Sequence, residues 1–134
     1  MEYERTVRME DVDITGSIFF ARLHMMALEA LEWAFLKLGM PVKELFKSGK
    51  GLPIVNSQAD FFHPIALNDS LRIKIECETI GQRSVKFKFT FTDTQIKAQA
   101  SLTCVLIDQA SLQSVPITGF FRALCERLQR VEAL

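Results

Sequence analysis

A short acidic turn near the start of the chain holds residue types that acyl-transfer chemistry needs. Residues 10–16 read EDVDITG, and the long apolar stretch that follows is typical of a buried helix. The first N–H groups of a helix lack an internal acceptor and carry a partial positive charge, so they can hold an anion or stabilise a developing oxyanion. A carboxylate beside such a helix end has the means to act as nucleophile or general base on an acyl group.

The same turn also fits two other interpretations. Asp11, Asp13 and Thr15 fall at alternate positions before Gly16, as in the opening of a calcium-binding EF-hand loop. Position twelve of such a loop requires a bidentate glutamate, and this chain has Arg22 there, so calcium is not expected. The simpler alternative is that both aspartates only form the turn and that Gly16 supplies a positive φ before the helix.

Composition restricts the class of protein. A chain of 134 residues that is 49% hydrophobic fits one domain, expected to span residues 1–134. Lys plus Arg and Asp plus Glu balance at 16 each without a basic run, so no nucleic-acid partner is expected. No apolar stretch approaches the roughly 18 residues of a membrane span, and the first residues do not read as a secretion signal. Three cysteines without C-x-x-C spacing favour a reducing cytoplasm over a disulfide framework or a zinc site.

Periodicity predicts one long helix and a set of antiparallel strands. The helix covers Leu23–Leu38 and ends at Gly39, and a short second helix is expected at Val42–Phe46. Apolar and polar residues alternate over 71–78, 85–92 and 98–106, which is typical of strands with one buried face. Weaker strands are expected over 54–62 and 3–9, and a terminal helix over 116–134 with Phe120, Phe121, Leu124 and Leu128 on one face. We therefore predict an α+β fold in which the sheet curls around the long helix.

The order of these elements carries a family resemblance over roughly residues 3–107. A strand, the D-x-D-x-x-G turn, a long apolar helix and a strand followed by PIALND at 64–69 precede the alternating strands. This arrangement resembles the 4-hydroxybenzoyl-CoA thioesterase family, which has the hot-dog fold. Phe19-Phe20 after the turn and LPIV at 52–55 leading to DFFHP at 60–64 make the chain most similar to the branch that hydrolyses 1,4-dihydroxy-2-naphthoyl-CoA in phylloquinone and menaquinone synthesis.

The resemblance implies roles for three residues of the turn. Asp13 corresponds to the catalytic carboxylate, Gly16 to the turn glycine, and the backbone N–H of Phe20 to the donor that polarises the thioester carbonyl. Many bacterial members carry histidine where this chain has Phe20, so acid–base chemistry is expected to depend on Asp13. Asn68 stands where the family usually has glycine, and asparagine tolerates the left-handed conformation. The reaction is expected to need no metal or redox cofactor.

Further residues are candidates for binding an acyl-CoA substrate. A flat aromatic acyl group would suit the rings of Phe19, Phe20, Phe61 and Phe62, although these residues would serve equally well in the core. Asp60 is a candidate for a hydrogen bond near the site, and Arg83, Lys86 and Lys88 are candidates for the CoA phosphates.

The resemblance also implies a homodimer with active sites between subunits, commonly paired into a dimer of dimers. The alternatives are a short-chain or fatty acyl-CoA thioesterase and a non-catalytic module that binds acyl-CoA or an acyl carrier. No role is predicted for His24 or His63, and Glu29 and Glu32 are expected to form the polar sector of the long helix.

Overall fold

A computed structural model describes residues 1–133, with side chains through residue 129. Leu134, the last residue of the predicted terminal helix, lies outside the described residues. The helices are α1 (Phe20–Lys37), α2 (Val42–Lys47) and α3 (Gly119–Ala133), and a single 3-10 turn covers Met9–Asp11. The strands are β1 (Glu2–Thr6), β2 (Lys50–Gly51), β3 (Ile54–Phe61), β4 (Ser70–Ile80), β5 (Ser84–Thr92), β6 (Ile96–Val105) and β7 (Ile107–Asp108).

Five of the strands form one antiparallel sheet in the order β1-β4-β5-β6-β3. Register pairs such as Ile75 with Phe89 and Phe89 with Ala100 place the apolar members of the alternating runs on a single face. This face packs against α1, since apolar residues of both elements are fully buried together. The predicted α+β arrangement, with the sheet wrapped around a long helix, is therefore confirmed.

Aromatic contacts join the helices to the sheet at the centre of the core. Phe35 of α1 makes edge-to-face contacts with Phe87 of β5 and with Phe121 of α3, at ring-centroid distances of 5.8 and 5.9 Å. Burying one such side chain contributes about 1.5–3 kcal/mol. The prediction for α3 was wrong in one respect, because Phe120 points outward and is 61% exposed while Phe121, Leu124 and Leu128 are buried.

α1 is less completely buried than its sequence predicts. Phe20, Met25, Leu28 and Leu36 leave an exposed apolar side on the helix. The neighbouring strand β3 is one of the two edges of this sheet, and nearly all of its residues are exposed, with Val55 at 61%. An exposed edge strand beside an exposed apolar helix side is a surface on which a protein partner can pair.

Candidate active site

The acidic turn is a tight hairpin held by its own backbone. Val12 and Ile18 form an antiparallel bridge, and the Asp13 N–H donates to the Ser17 carbonyl at 2.9 Å. The Gly16 N–H donates back to the Asp13 carbonyl at 3.0 Å. Gly16 has the predicted positive φ, at +81°, a conformation that a side chain would strain.

A second turn, residues 64–69, holds the hairpin in place from outside. The Leu67 N–H donates to the Gly16 carbonyl at 3.0 Å, and the Ile18 N–H donates to the Ile65 carbonyl at 2.7 Å. Asn68 has φ +72°, as expected for a residue that replaces glycine in a left-handed position. The Asp69 carboxylate accepts the Ala66 N–H at 2.9 Å, which makes this aspartate a turn-forming residue. Two interlocked turns therefore position the start of α1.

Asp13 presents an exposed, ionised carboxylate at this position. One carboxylate oxygen accepts the Thr15 N–H at 2.8 Å and the Thr15 hydroxyl at 2.6 Å. Both hydrogen bonds, the hydroxyl bond foremost, lower the pKa of the Asp13 carboxyl below its ordinary value of 3.8. The other carboxylate oxygen accepts no hydrogen bond from residues 1–129. This oxygen is available to a water molecule or to an acyl carbon.

The Phe20 N–H lies at the first residue of α1, where a helix has no internal acceptor for it. The adjacent amides are already used, since the Phe19 N–H donates to the Asp11 carbonyl at 2.9 Å and the Arg22 N–H to the Phe19 carbonyl at 2.8 Å. The structure gives the Phe20 N–H no acceptor within the described chain. The helix end thus leaves a donor for a carbonyl oxygen, seven residues after Asp13.

Asp11, the other aspartate of the motif, is buried and has a structural role that the sequence did not indicate. Its side chain is 0% exposed and accepts two hydrogen bonds from Arg5, at 2.8 and 3.1 Å, and two from Arg22, at 3.1 and 2.7 Å. The Arg8 N–H donates to it at 2.8 Å. Burial alone would raise the pKa of the Asp11 carboxyl, but the donors from Arg5, Arg8 and Arg22 outweigh burial and lower it to about 2.

The Asp11 cluster extends to the middle of α1. Arg5 Nε donates to the Glu29 carboxylate at 2.9 Å, and the Tyr3 hydroxyl donates to the same oxygen at 2.5 Å. Burial and the Glu29 carboxylate raise the pKa of Tyr3, so the phenol stays protonated and remains a donor. These contacts tie β1 to α1, so the partly exposed Glu29 extends the Asp11 cluster and is more than part of a polar sector. The cluster fixes the direction in which α1 leaves the turn.

His24 is a second functional candidate that sequence reasoning missed. Its Nδ1 contacts the Ser57 hydroxyl on β3, one helical turn after Phe20. Both side chains are at least partly accessible. Only the spacing of four residues between Phe20 and His24 could have indicated this from the sequence, because the contact with Ser57 joins residues 33 positions apart.

The four aromatic candidates lie around the start of α1. Phe19 and Phe20 contact each other with ring centroids 5.0 Å apart, and both are exposed. Phe61 pairs with Ala98, whose side chain is buried, so Phe61 lies on the helix side of the sheet. Phe62 follows directly, and its N–H donates to the Lys97 carbonyl. All four rings are partly or largely exposed in the single chain.

The polar candidates lie elsewhere. Asp60, Lys86 and Lys88 line a groove on the outer face of the sheet, opposite α1. Lys86 forms an ion pair with Glu78 at 3.3 Å, and Arg83 donates to the Ser114 carbonyl at 2.6 Å. Within one chain the structure therefore does not bring these four residues together with Asp13. Their predicted roles in substrate binding remain predictions.

An apolar cavity of about 390 Å³ lies further along α1, between this helix, α2 and the start of β3. Glu32 is the single charged residue in its wall. The other lining residues are Leu28, Leu31, Phe35, Val42, Phe46, Leu52, Ile54 and Cys104. A cavity of this size and lining suits an apolar group of a small ligand.

Neither a metal centre nor a membrane span is found in the part of the chain that the structure describes. Its His, Cys, Asp and Glu side chains form no group of three or more that could hold an ion. None of its helices is both long and apolar enough to cross a bilayer.

Comparison with known proteins gives a consistent result. Residues 7–124 match the model of the thioesterase-like superfamily. The chain is 30% identical over 124 residues to a 1,4-dihydroxy-2-naphthoyl-CoA hydrolase from Rippkaea orientalis, covering 87% of this chain and 88% of the relative. It is 32% identical to the enzyme of that name from Thermosynechococcus vestitus, covering 87% of this chain and 82% of that relative.

Solved structures show the same fold. The crystal structure of a 1,4-dihydroxy-2-naphthoyl-CoA thioesterase from Synechocystis aligns with a TM-score of 0.87 at 22% identity, covering 95% of this chain and 96% of that one. A gentisyl-coenzyme A thioesterase aligns with a TM-score of 0.84 at 24% identity, covering 91% and 99%. The predicted hot-dog fold is thereby confirmed.

Proposed function

Because the chain belongs to the thioesterase-like superfamily and is a thioester hydrolase, we propose that its substrate is an aromatic acyl-CoA, specifically 1,4-dihydroxy-2-naphthoyl-CoA of phylloquinone or menaquinone synthesis. The observation that carries this proposal is the set of relatives of that name, which align over most of both chains at about 30% identity. The aromatic side chains around the start of α1 support it, because flat rings stack favourably on aromatic neighbours.

Asp13 is the proposed catalytic carboxylate. Its low pKa keeps it ionised at neutral pH, and one of its oxygens is free of hydrogen bonds from residues 1–129. In one route Asp13 attacks the thioester carbonyl and forms a mixed anhydride, which water then hydrolyses. In the other it takes a proton from a water molecule that attacks directly. Both routes use the same geometry and require neither electron transfer nor a Lewis acid, so no cofactor is proposed.

The Phe20 N–H is the proposed donor to the carbonyl oxygen. Negative charge builds up on that oxygen as the tetrahedral intermediate forms, and the partial positive charge of the α1 N-terminus stabilises it. Gly16 contributes by closing the hairpin that holds Asp13 and the helix start in a fixed relation. Loss of a single oxyanion donor typically lowers the rate about 10²–10³-fold.

A homodimer through the edge of β3 would complete the site. β3 runs beside α1 in the opposite direction, with Phe61 near the start of the helix and Ile54 beside the apolar cavity. Antiparallel pairing of two β3 strands about a twofold axis sets the Phe61 end of one copy beside the Ile54 end of the other. The cavity of each copy then lies next to the acidic turn of its partner, which supports active sites between subunits. Further pairing into a dimer of dimers is proposed from the family resemblance.

Sedimentation velocity and activity of Val55→Lys test this arrangement. Val55 is exposed on the edge strand, and a lysine there opposes edge pairing without removing a core residue. We expect a species near the single-chain mass of 15.2 kDa, with native circular dichroism and reduced activity. A fully active single chain would contradict the shared site.

The activity itself is tested by thiol release from a panel of aromatic, short-chain and fatty acyl-CoAs. The wild type is compared with Asp13→Asn and with Asp108→Asn, whose carboxylate also accepts a backbone N–H in a turn but lies on β7. We expect the naphthoyl thioester to give the highest kcat/KM, Asp13→Asn to lower it about 10²–10⁴-fold, and Asp108→Asn to leave it unchanged. A preference for fatty substrates would assign the cavity along α1 to an aliphatic chain. The absence of hydrolysis throughout the panel would favour a binding module.

A further inference from the structure

The contact between His24 and Ser57 sits beside the proposed oxyanion donor and is not needed by the mechanism described so far. His24 Nδ1 faces the Ser57 hydroxyl, so this nitrogen is engaged, whereas Nε2 has no hydrogen-bond partner within residues 1–129. Ser57 pairs with the buried Leu102 and therefore points from β3 towards α1. In this way a residue of the sheet edge fixes the imidazole on the first turns of the helix.

Helix geometry brings this imidazole close to the reacting bond. Residues four apart lie on the same face of a helix, about 6 Å apart at Cβ. Side chains on a helix lean towards its N-terminus, so the imidazole of His24 covers the turn that begins at Phe20. When the carbonyl oxygen of a thioester accepts the Phe20 N–H, the carbonyl carbon lies at the helix end, and the sulfur is bonded to that carbon. In one of the two orientations about that carbonyl, the sulfur faces the side of the helix end that carries His24.

We propose that His24 is the general acid that protonates the departing CoA sulfur, with Ser57 as its positioning residue. This inference rests on the proposed thioesterase function and adds a second proton-transfer group to it. An alkyl thiolate leaves less readily than the neutral thiol, because its conjugate acid is weak. A histidine held next to the breaking C–S bond is placed to supply that proton.

The proton balance closes within the site and the solvent. The tetrahedral intermediate re-forms its carbonyl, the C–S bond breaks, and the bonding pair goes to sulfur. The Nε2–H of the His24 imidazolium transfers its proton to that sulfur, while the Nδ1–H donates to the Ser57 oxygen. The neutral imidazole then regains a proton from solvent. The attacking water gives up a proton to Asp13, which passes it to solvent. The products are the free thiol and the carboxylate.

The test compares two leaving groups on one acyl group. The substrates are the CoA thioester and the S-aryl thioester of the same aromatic acid, and kcat/KM is measured because it reports every step up to C–S cleavage. An aryl thiolate is stable enough to leave without a proton. The variants are His24→Gln, Ser57→Ala, Asp13→Asn and, as a matched control, His63→Gln on the chain's other histidine.

We expect His24→Gln to lower kcat/KM about 10²-fold or more on the CoA thioester and by less than about threefold on the aryl thioester. Ser57→Ala is expected to show a smaller loss with the same dependence on the leaving group, and His63→Gln none. Equal losses of His24→Gln on both substrates, or wild-type activity on the CoA thioester, would overturn the general-acid role. Asp13→Asn separates the two proposals, because it should lose activity on both substrates whether or not His24 acts. Retained activity in Asp13→Asn would instead refute the catalytic role of Asp13 on which the mechanism rests.

Discussion

Replacing Asp11 by asparagine removes the charge at the centre of the buried cluster and should destabilise the protein strongly. The substitution would keep the size of the side chain but would leave Arg5, itself 4% exposed at the side chain, with the partly exposed Glu29 as its remaining anionic partner. Removing one member of a buried ion pair typically costs about 3–5 kcal/mol, because the remaining charge stays desolvated. Since the two arginines and the Arg8 N–H all donate to this carboxylate, we expect a loss within that range.

The pKa of Asp11 gives a second value for the stability that its charge contributes. Its value falls from an ordinary 3.8 to about 2, which corresponds to roughly 2.5 kcal/mol in favour of the ionised carboxylate in the folded state. Because the folded-state pKa lies below the unfolded one, this contribution is fully present above about pH 5 and is lost as the pH falls towards 2. The stability gap between wild type and Asp11→Asn should therefore narrow on acidification from pH 6 to pH 3.

Urea unfolding followed by the fluorescence of Trp33 measures this gap. Trp33 is the sole tryptophan and packs against Tyr3 with ring centroids 5.3 Å apart, next to the cluster. Asp60→Asn is the matched control, because its exposed carboxylate has no hydrogen bond or ion pair within residues 1–129, and it should change stability by less than about 0.5 kcal/mol. All variants are compared at one protein concentration, since the stability of a protein that associates depends on its concentration. If Asp11→Asn unfolds at the same urea concentration as Asp60→Asn at pH 7, the cluster does not hold the turn.

Three further outcomes follow from the geometry. Asn68→Ala should lower the free energy of unfolding by about 1–2 kcal/mol, because alanine is strained at φ +72°. Asn68→Gly should not lower it, and the urea midpoints of the two variants measure the difference. In the pH profile of kcat/KM, the midpoint of the acid limb should lie below pH 3.8, because Thr15 lowers the pKa of Asp13. In Thr15→Val, which removes the hydroxyl donor, this midpoint should move to higher pH. The three cysteines should not react with a thiol reagent at pH 8 until the protein is unfolded. All are buried; burial raises the pKa of Cys104 to about 12, and a hydrogen bond with Cys77 together with burial raises that of Cys125.

The parts of the fold that were predicted from sequence are those set by local periodicity. The alternation in β4, β5 and β6 determined which face is buried, and Gly39 with φ +90° follows the end of α1 as predicted. The left-handed conformation at Asn68 was likewise predictable, because few residue types tolerate it. Each of these features depends on residues close together in the chain.

The parts that were missed depend on contacts between distant residues. Asp11 and Asp13 are two positions apart and chemically identical, yet one is buried among arginines and the other exposed. Nothing in the local pattern distinguishes them, since the charged partners of Asp11, Arg5 and Arg22, come from β1 and from α1. The position of Lys86 and Lys88 opposite α1 follows from strand register, and the contact of His24 with Ser57 from the packing of a helix on a sheet edge.

The measurement that tests the central claim most directly is hydrolysis of 1,4-dihydroxy-2-naphthoyl-CoA by wild type, Asp13→Asn and Asp108→Asn. Urea unfolding of the same samples establishes that all three are folded. The account predicts turnover by wild type and Asp108→Asn and a loss of about 10²–10⁴-fold in Asp13→Asn at unchanged stability. Turnover by folded Asp13→Asn at the wild-type rate would contradict the assignment of the catalytic carboxylate.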